Sequence, residues 1–115
     1  MRRFFVAGVL ALGLIAASQQ AHAANVRLFV HHKVTDYKAW RVGYDSFNAT
    51  RTKMGVVAQA VYCTVDDSND VTVTHDFKTA AKAKAFMGSK ELKDAMAKAG
   101  VVGAPEVWLT MAAGK

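Results

Sequence analysis

Three histidines stand where strand-forming residues gather: the adjacent pair His31 and His32, and His75. An imidazole titrates near neutral pH, which makes it the first candidate for a general base, a proton donor or a metal ligand. Neighbours in a strand point to opposite faces, so His31 and His32 cannot hold one ion together. His32 and His75 each share a face with the valines of their own strands. Antiparallel pairing of those strands puts the two toward opposite ends, and diagonal cross-strand neighbours are already about 7–8 Å apart. No metal site and no cofactor are therefore expected. Two readings stay open for these side chains: a pocket histidine that hydrogen-bonds a ligand, and a structural histidine satisfied in the core.

His32, Tyr62, His75 and Trp108 form the candidate ligand-binding set. Trp40 and Tyr44 lie on an apolar helical stripe and are assigned to the core. Asp66, Asp67 and Asp70 crowd one tract, but its spacing is not that of a calcium loop, and a solvated turn accounts for it. Cys63 is the single cysteine and cannot pair within the chain; it is expected to be a small buried residue of a strand. Lys78, Lys82, Lys84, Lys90, Lys93 and Lys98 give the second helical region a basic outer face. Without an aromatic and basic stacking platform, that face reads as solubilising, and nucleic acid is not an expected partner.

The elements that must position these side chains follow from periodicity. Asn25 to Val34 reads as a strand. Asp36 caps a helix whose stripe Tyr37, Trp40, Tyr44, Phe47 and Met54 ends at Gly55. Val56 to Val65 and Val71 to Phe77 are strands joined by the polar tract between them. Thr79 caps a second helix, broken at Gly88-Ser89 and resumed from Ser89 to Gly100, and Glu106 to Met111 is the last strand. The order β-α-β-β-α-β predicts an α+β, ferredoxin-like sandwich: an antiparallel four-stranded sheet with its helices on one face. Alternation leaves Phe29 and Trp108 on the uncovered face, where large aromatics mark an interface. Two such sheets face to face would make a dimeric α/β barrel.

The N-terminal block has a different character. Arg2 and Arg3 precede the uncharged run Val6 to Ala17, and Ala21-His22-Ala23 offers a cleavage site of small residues. The run falls short of the ~20 residues that span a membrane. Residues 1–23 are thus expected to be a signal peptide and 24–115 a single domain, exported to the periplasm or beyond, with no stable membrane anchor after cleavage. Losing Arg2 and Arg3 takes the formal charge of the 115-residue chain from +6 to +4. A domain this small has a modest core, and one cysteine cannot staple it, so a homodimer is the expected source of further buried surface.

The segment from Val30 through His31-His32-Lys33-Val34-Thr35-Asp36-Tyr37 to Trp40 resembles the opening of dimeric α/β-barrel proteins. That superfamily includes antibiotic-biosynthesis monooxygenases and stress-responsive barrel proteins. Val65 to Val71 at the hairpin resembles the same superfamily, and Ser89 to Met96, Ala99-Gly100-Val101 and Gly103-Ala104-Pro105-Glu106 are similar to a mostly uncharacterised branch of it. The resemblance implies the fold and the dimer. Haem-degrading members carry a histidine on the second helix, and Thr79 to Ala99 has none. Cofactor-free monooxygenases of this type use a polar pocket with aromatic neighbours, which Trp40, Tyr62 and Trp108 could supply here. The leading expectation is an exported protein that binds a small apolar or aromatic molecule between sheet and helices. The alternatives are a cofactor-free monooxygenase or isomerase acting on an aromatic or polyketide-like compound, and a structural dimer with a filled core.

Overall fold

The computed structural model describes residues 25–114. The expected signal peptide lies outside the described residues. β1 (Val26–Val34), β2 (Val56–Thr64), β3 (Asp67–Phe77) and β4 (Val101–Met111) form one antiparallel sheet in the order β2-β3-β1-β4. α1 (Tyr37–Ser46) and α2 (Asn48–Lys53) follow β1, while α3 (Ala80–Met87) and α4 (Lys90–Lys98) follow β3. This is the α+β, ferredoxin-like arrangement that the order of elements predicts. Among the described residues no helix is long and apolar enough to cross a membrane.

The core forms where the β-branched face of the sheet meets the helices. Val26, Leu28, Val30 and Val34 of β1 and Val71, Val73 and Phe77 of β3 are buried against Trp40, Tyr44, Ala83 and Phe86. Arg27, Phe29, His31 and Lys33 take the opposite face, as alternation requires. Asp36, Thr79 and Ser89 each cap a helix through a side-chain oxygen, satisfying amide donors that a first turn leaves free. Gly55 has φ of 106°, which suits glycine, and turns the chain from α2 into β2.

Three boundaries differ from the sequence expectation. The first helix divides at Phe47, whose N–H donates to the carbonyls of both Gly43 and Tyr44 at 3.2 Å. Arg51 N nevertheless donates to Phe47 O at 3.0 Å, so the helical stripe continues through the break. β3 begins at Asp67 rather than Val71, because the polar tract finds partners: Asp70 accepts from Thr64 Oγ1 at 2.9 Å, and Asn69 Oδ1 accepts from Tyr37 N at 2.8 Å. β4 begins at Val101, and its register slips where His31 pairs Glu106 but Lys33 pairs Val102. Gly103, at φ of 72°, together with Ala104 and Pro105 forms the resulting bulge.

Cys63 lies in β2 as expected but is exposed, correcting the expectation of burial. β2 is an edge strand, and its far end, Tyr62, Cys63 and Thr64, is exposed.

Candidate functional site

Between the sheet and the helices lies a cavity of about 40 Å³. A water needs roughly 10–15 Å³ on this measure, so the space holds a few waters or part of a small molecule. β1 and β3 contribute His32 and His75 to its wall, and α1 contributes Trp40 and Tyr44. α2 contributes Arg51, and α4 closes the side with Leu92, Ala95 and Met96, followed by Ala99 just past its end.

The two histidines are almost wholly buried, at 5% and 3% exposure. Their register is the one expected of opposite ends: His32 pairs Val71, and His75 pairs Leu28. A row of rings joins them. His32 lies 5.7 Å from Trp40, Trp40 lies 4.9 Å from Tyr44, and Tyr44 lies 6.1 Å from His75, centroid to centroid. Nε2 of His75 shares a hydrogen bond with Tyr44 Oη at 3.1 Å. Nδ1 of His75 and Nδ1 of His32 hydrogen-bond to no described protein atom. Buried polar atoms are nearly always paired, so these two nitrogens, both on cavity-lining residues, are exceptions in this interior.

Burial sets their charge state. It lowers the pKa of His75 to about 4, with the nearby Arg51 cation adding to the effect. His32 is also lowered, again chiefly by burial. Burial raises Tyr44 above its ordinary value. Around neutral pH His75 is therefore an uncharged imidazole in a dry wall, able to accept or donate one proton.

Sequence reasoning missed Arg51. Only 2% of it is exposed. Its Nη1 donates to Tyr44 O at 2.6 Å, its Nε to Gln59 Oε1 at 2.9 Å, and its Cζ sits 3.6 Å from the Tyr44 ring centroid. A signal was present: position 51 falls four residues after Phe47 and three before Met54, on the apolar stripe. A charge in a core-facing register is the kind of buried polar group that asks for an explanation.

The other candidates lie elsewhere. Tyr62 pairs Thr72 and faces away from the helices, 57% exposed. Trp108 pairs Phe29, and the two rings stack with centroids 5.2 Å apart and planes 3° from parallel, Trp108 being 46% exposed. The cavity thus collects His32 and His75, while Tyr62 and Trp108 belong to the open face. His31 shares that face. Its Nε2 meets Asp70 Oδ1 at 2.7 Å and its Nδ1 meets Glu106 Oε1 at 2.9 Å, and these bonds raise its pKa. Among the described residues no cluster of three or more His, Cys, Asp or Glu side chains is placed to hold a metal ion.

The fold has known counterparts. SnoaB from Streptomyces nogalater, a cofactor-independent oxygenase, superposes with a TM-score of 0.67 at 12% identity, over 81% of this chain and 97% of its own. Several of the solved structures that share this fold are described as antibiotic biosynthesis monooxygenases. A protein from Bordetella bronchiseptica ascribed to the antibiotic biosynthesis monooxygenases gives a TM-score of 0.68 at 11% identity, covering 78% of this chain and 98% of that one. A conserved protein from Methanosarcina mazei gives 0.66 at 13%, covering 82% and 97%. No family model matches the sequence, and no curated protein matches it significantly. At these identities the antibiotic biosynthesis monooxygenase likeness is one of fold, and function has to be argued from the cavity.

Proposed function

We propose that this protein binds a small, largely apolar or aromatic molecule in the cavity between sheet and helices. One observation carries the reading: two buried histidines among the cavity-lining residues each keep an Nδ1 that no described protein atom engages. Each such atom costs about 1–3 kcal/mol when unpaired, which weighs against a wholly filled core. The cavity is small for an aromatic molecule, and α4 is the element that can make room. None of its residues is buried, and it is bounded by Gly88-Ser89 on one side and Gly100 on the other. Native mass spectrometry of the folded protein, with thermal shift against a set of aromatic compounds, tests the reading. A retained or titratable ligand is expected; a bare protein that no compound stabilises overturns it.

Catalysis is the second reading, and neutral His75 favours it. An uncharged imidazole beside an aromatic ligand can take a proton from an acidic O–H or C–H group. SnoaB, which shares the fold, is a cofactor-independent oxygenase. The reading requires that His75→Ala abolish turnover while the protein stays folded.

The working form is a homodimer joined through the open faces of two sheets, and the chain is exported by residues 1–23. The stacked Phe29 and Trp108 rings and the exposed Tyr62 support the dimer, because contiguous apolar surface of this kind is seldom left to water. Arg2, Arg3 and the apolar run behind them support export to the periplasm or the medium.

A further inference from the structure

Arg51 is a buried cation with no ion-pair partner among the described residues. Six ion pairs occur among the described residues, and none includes it. Asp45, the acid nearest it along the chain, is engaged by Arg41 at 3.0 Å. The cavity wall that Arg51 shares with His32 and His75 contains no Asp or Glu. A guanidinium carries five N–H donors, and Tyr44 O, Gln59 Oε1 and Asn48 Oδ1 take three of them. The Tyr44 ring and carbonyl share the positive charge without cancelling it. Buried charges are almost always paired, because an isolated one is costly to remove from water.

We infer that the ligand of this cavity is a small aromatic carboxylate whose anionic group supplies the missing partner of Arg51. The inference rests on the binding reading above and names the substrate class for the same site. A carboxylate on a flat apolar body matches what the wall offers. Arg51 lines the cavity and keeps two N–H groups beyond the three its described partners take, and the rings of Trp40 and Tyr44 supply stacking area. A neutral ligand would leave the Arg51 charge unpaired, and a cationic one would meet it as a repulsion.

The experiment compares benzoate with benzamide, which share a shape and differ in charge, by calorimetry on the full protein at neutral pH. Benzoate should bind about tenfold more tightly or better, the scale of one charge-assisted hydrogen bond. That preference should vanish in Arg51→Gln and persist, weakened, in Arg51→Lys. It should also survive raised salt, which would erase attraction to the surface lysines but screens a buried pair little. If Arg51→Gln fails to fold, the salt series on the wild type decides alone. Equal binding of the two compounds, or a preference lost in salt, overturns the carboxylate inference and leaves the binding reading intact. Failure of both compounds to bind overturns both.

Discussion

Tyr44 Oη and His75 Nε2 lie 3.1 Å apart in the interior, and this hydrogen bond leaves the second nitrogen of the histidine facing no protein partner. Two residues far apart in sequence, one on α1 and one on β3, thus hold an imidazole in one orientation. Tyr44→Phe removes the hydroxyl and strands both ring nitrogens. We expect a loss of about 1–3 kcal/mol in urea denaturation, the usual cost of a buried unsatisfied group. A variant as stable as the wild type would show that the bond does not fix His75.

The two faces of the sheet should respond to pH with opposite signs. His75 has its pKa lowered to about 4 in the folded state, against an ordinary 6.5. Between those values the unfolded chain binds more protons, so stability falls as pH drops through that window. At roughly 1.4 kcal/mol per pKa unit the loss approaches about 3 kcal/mol, and lowered His32 adds to it in the same direction. His75→Phe should flatten the profile, and an unchanged slope would contradict the assignment. His31, raised by Glu106 and Asp70, has the reverse sign. Its stabilisation is present below its unfolded pKa and fades as pH climbs through the raised folded value. His31→Gln should therefore cost stability on the acid side and little on the alkaline side.

The proposed dimer would place the Phe29–Trp108 stack in its interface. Trp108→Glu places a charge there without touching the helix-covered core. Light scattering should report a dimer for the wild type and a monomer for the variant, with unchanged far-UV circular dichroism. A wild-type monomer at micromolar concentration would refute the dimer, and a dimeric variant would move the interface elsewhere.

Gly43 sets how closely α1 and α4 approach. A Cβ there would stand 3.0 Å from Ala99 Cβ, tighter than ordinary contact. Gly43→Ala gains about 1 kcal/mol of helix propensity and loses a comparable amount to crowding, so its net effect should be small. Gly43→Val has no such compensation and should cost about 1–3 kcal/mol. Because Gly43 and Ala99 both line the cavity, it should also quicken ligand exchange by loosening α4, measurable by stopped flow. A Val variant as stable as the wild type, with unchanged exchange, would mean that the two helices adjust freely.

Periodicity made most of the fold legible. The β1 alternation divided Val26, Leu28 and Val30 from Arg27, Phe29 and His31 as the structure does, and Thr79 and Ser89 cap the helices they were expected to cap. The same alternation placed His32 and His75 on the helix-facing side and at opposite ends. Tyr62 was less legible, because β2 carries register irregularities and its small alanines give no clear inner face. Arg51 was passed over because a stripe is read from its apolar members, so a charge within it looks like a gap. The His31 contacts were hidden for another reason: Asp70 and Glu106 reach it from two different strands, a meeting that only register determines.

The bulge at Gly103 to Pro105 has a consequence for how copies of this chain can meet. β4 is an outer strand of the sheet, and an outer strand with its backbone groups free is a template for strand-on-strand growth into fibres. Pro105 has no amide hydrogen to offer, and the slipped register bends the strand at mid-length. The opposite border, β2, has its own irregularity between Val56 and Ala58. Both borders are thereby blunted while the aromatic face stays open. Such borders disfavour an endless ribbon, and they suit the closed pair proposed above.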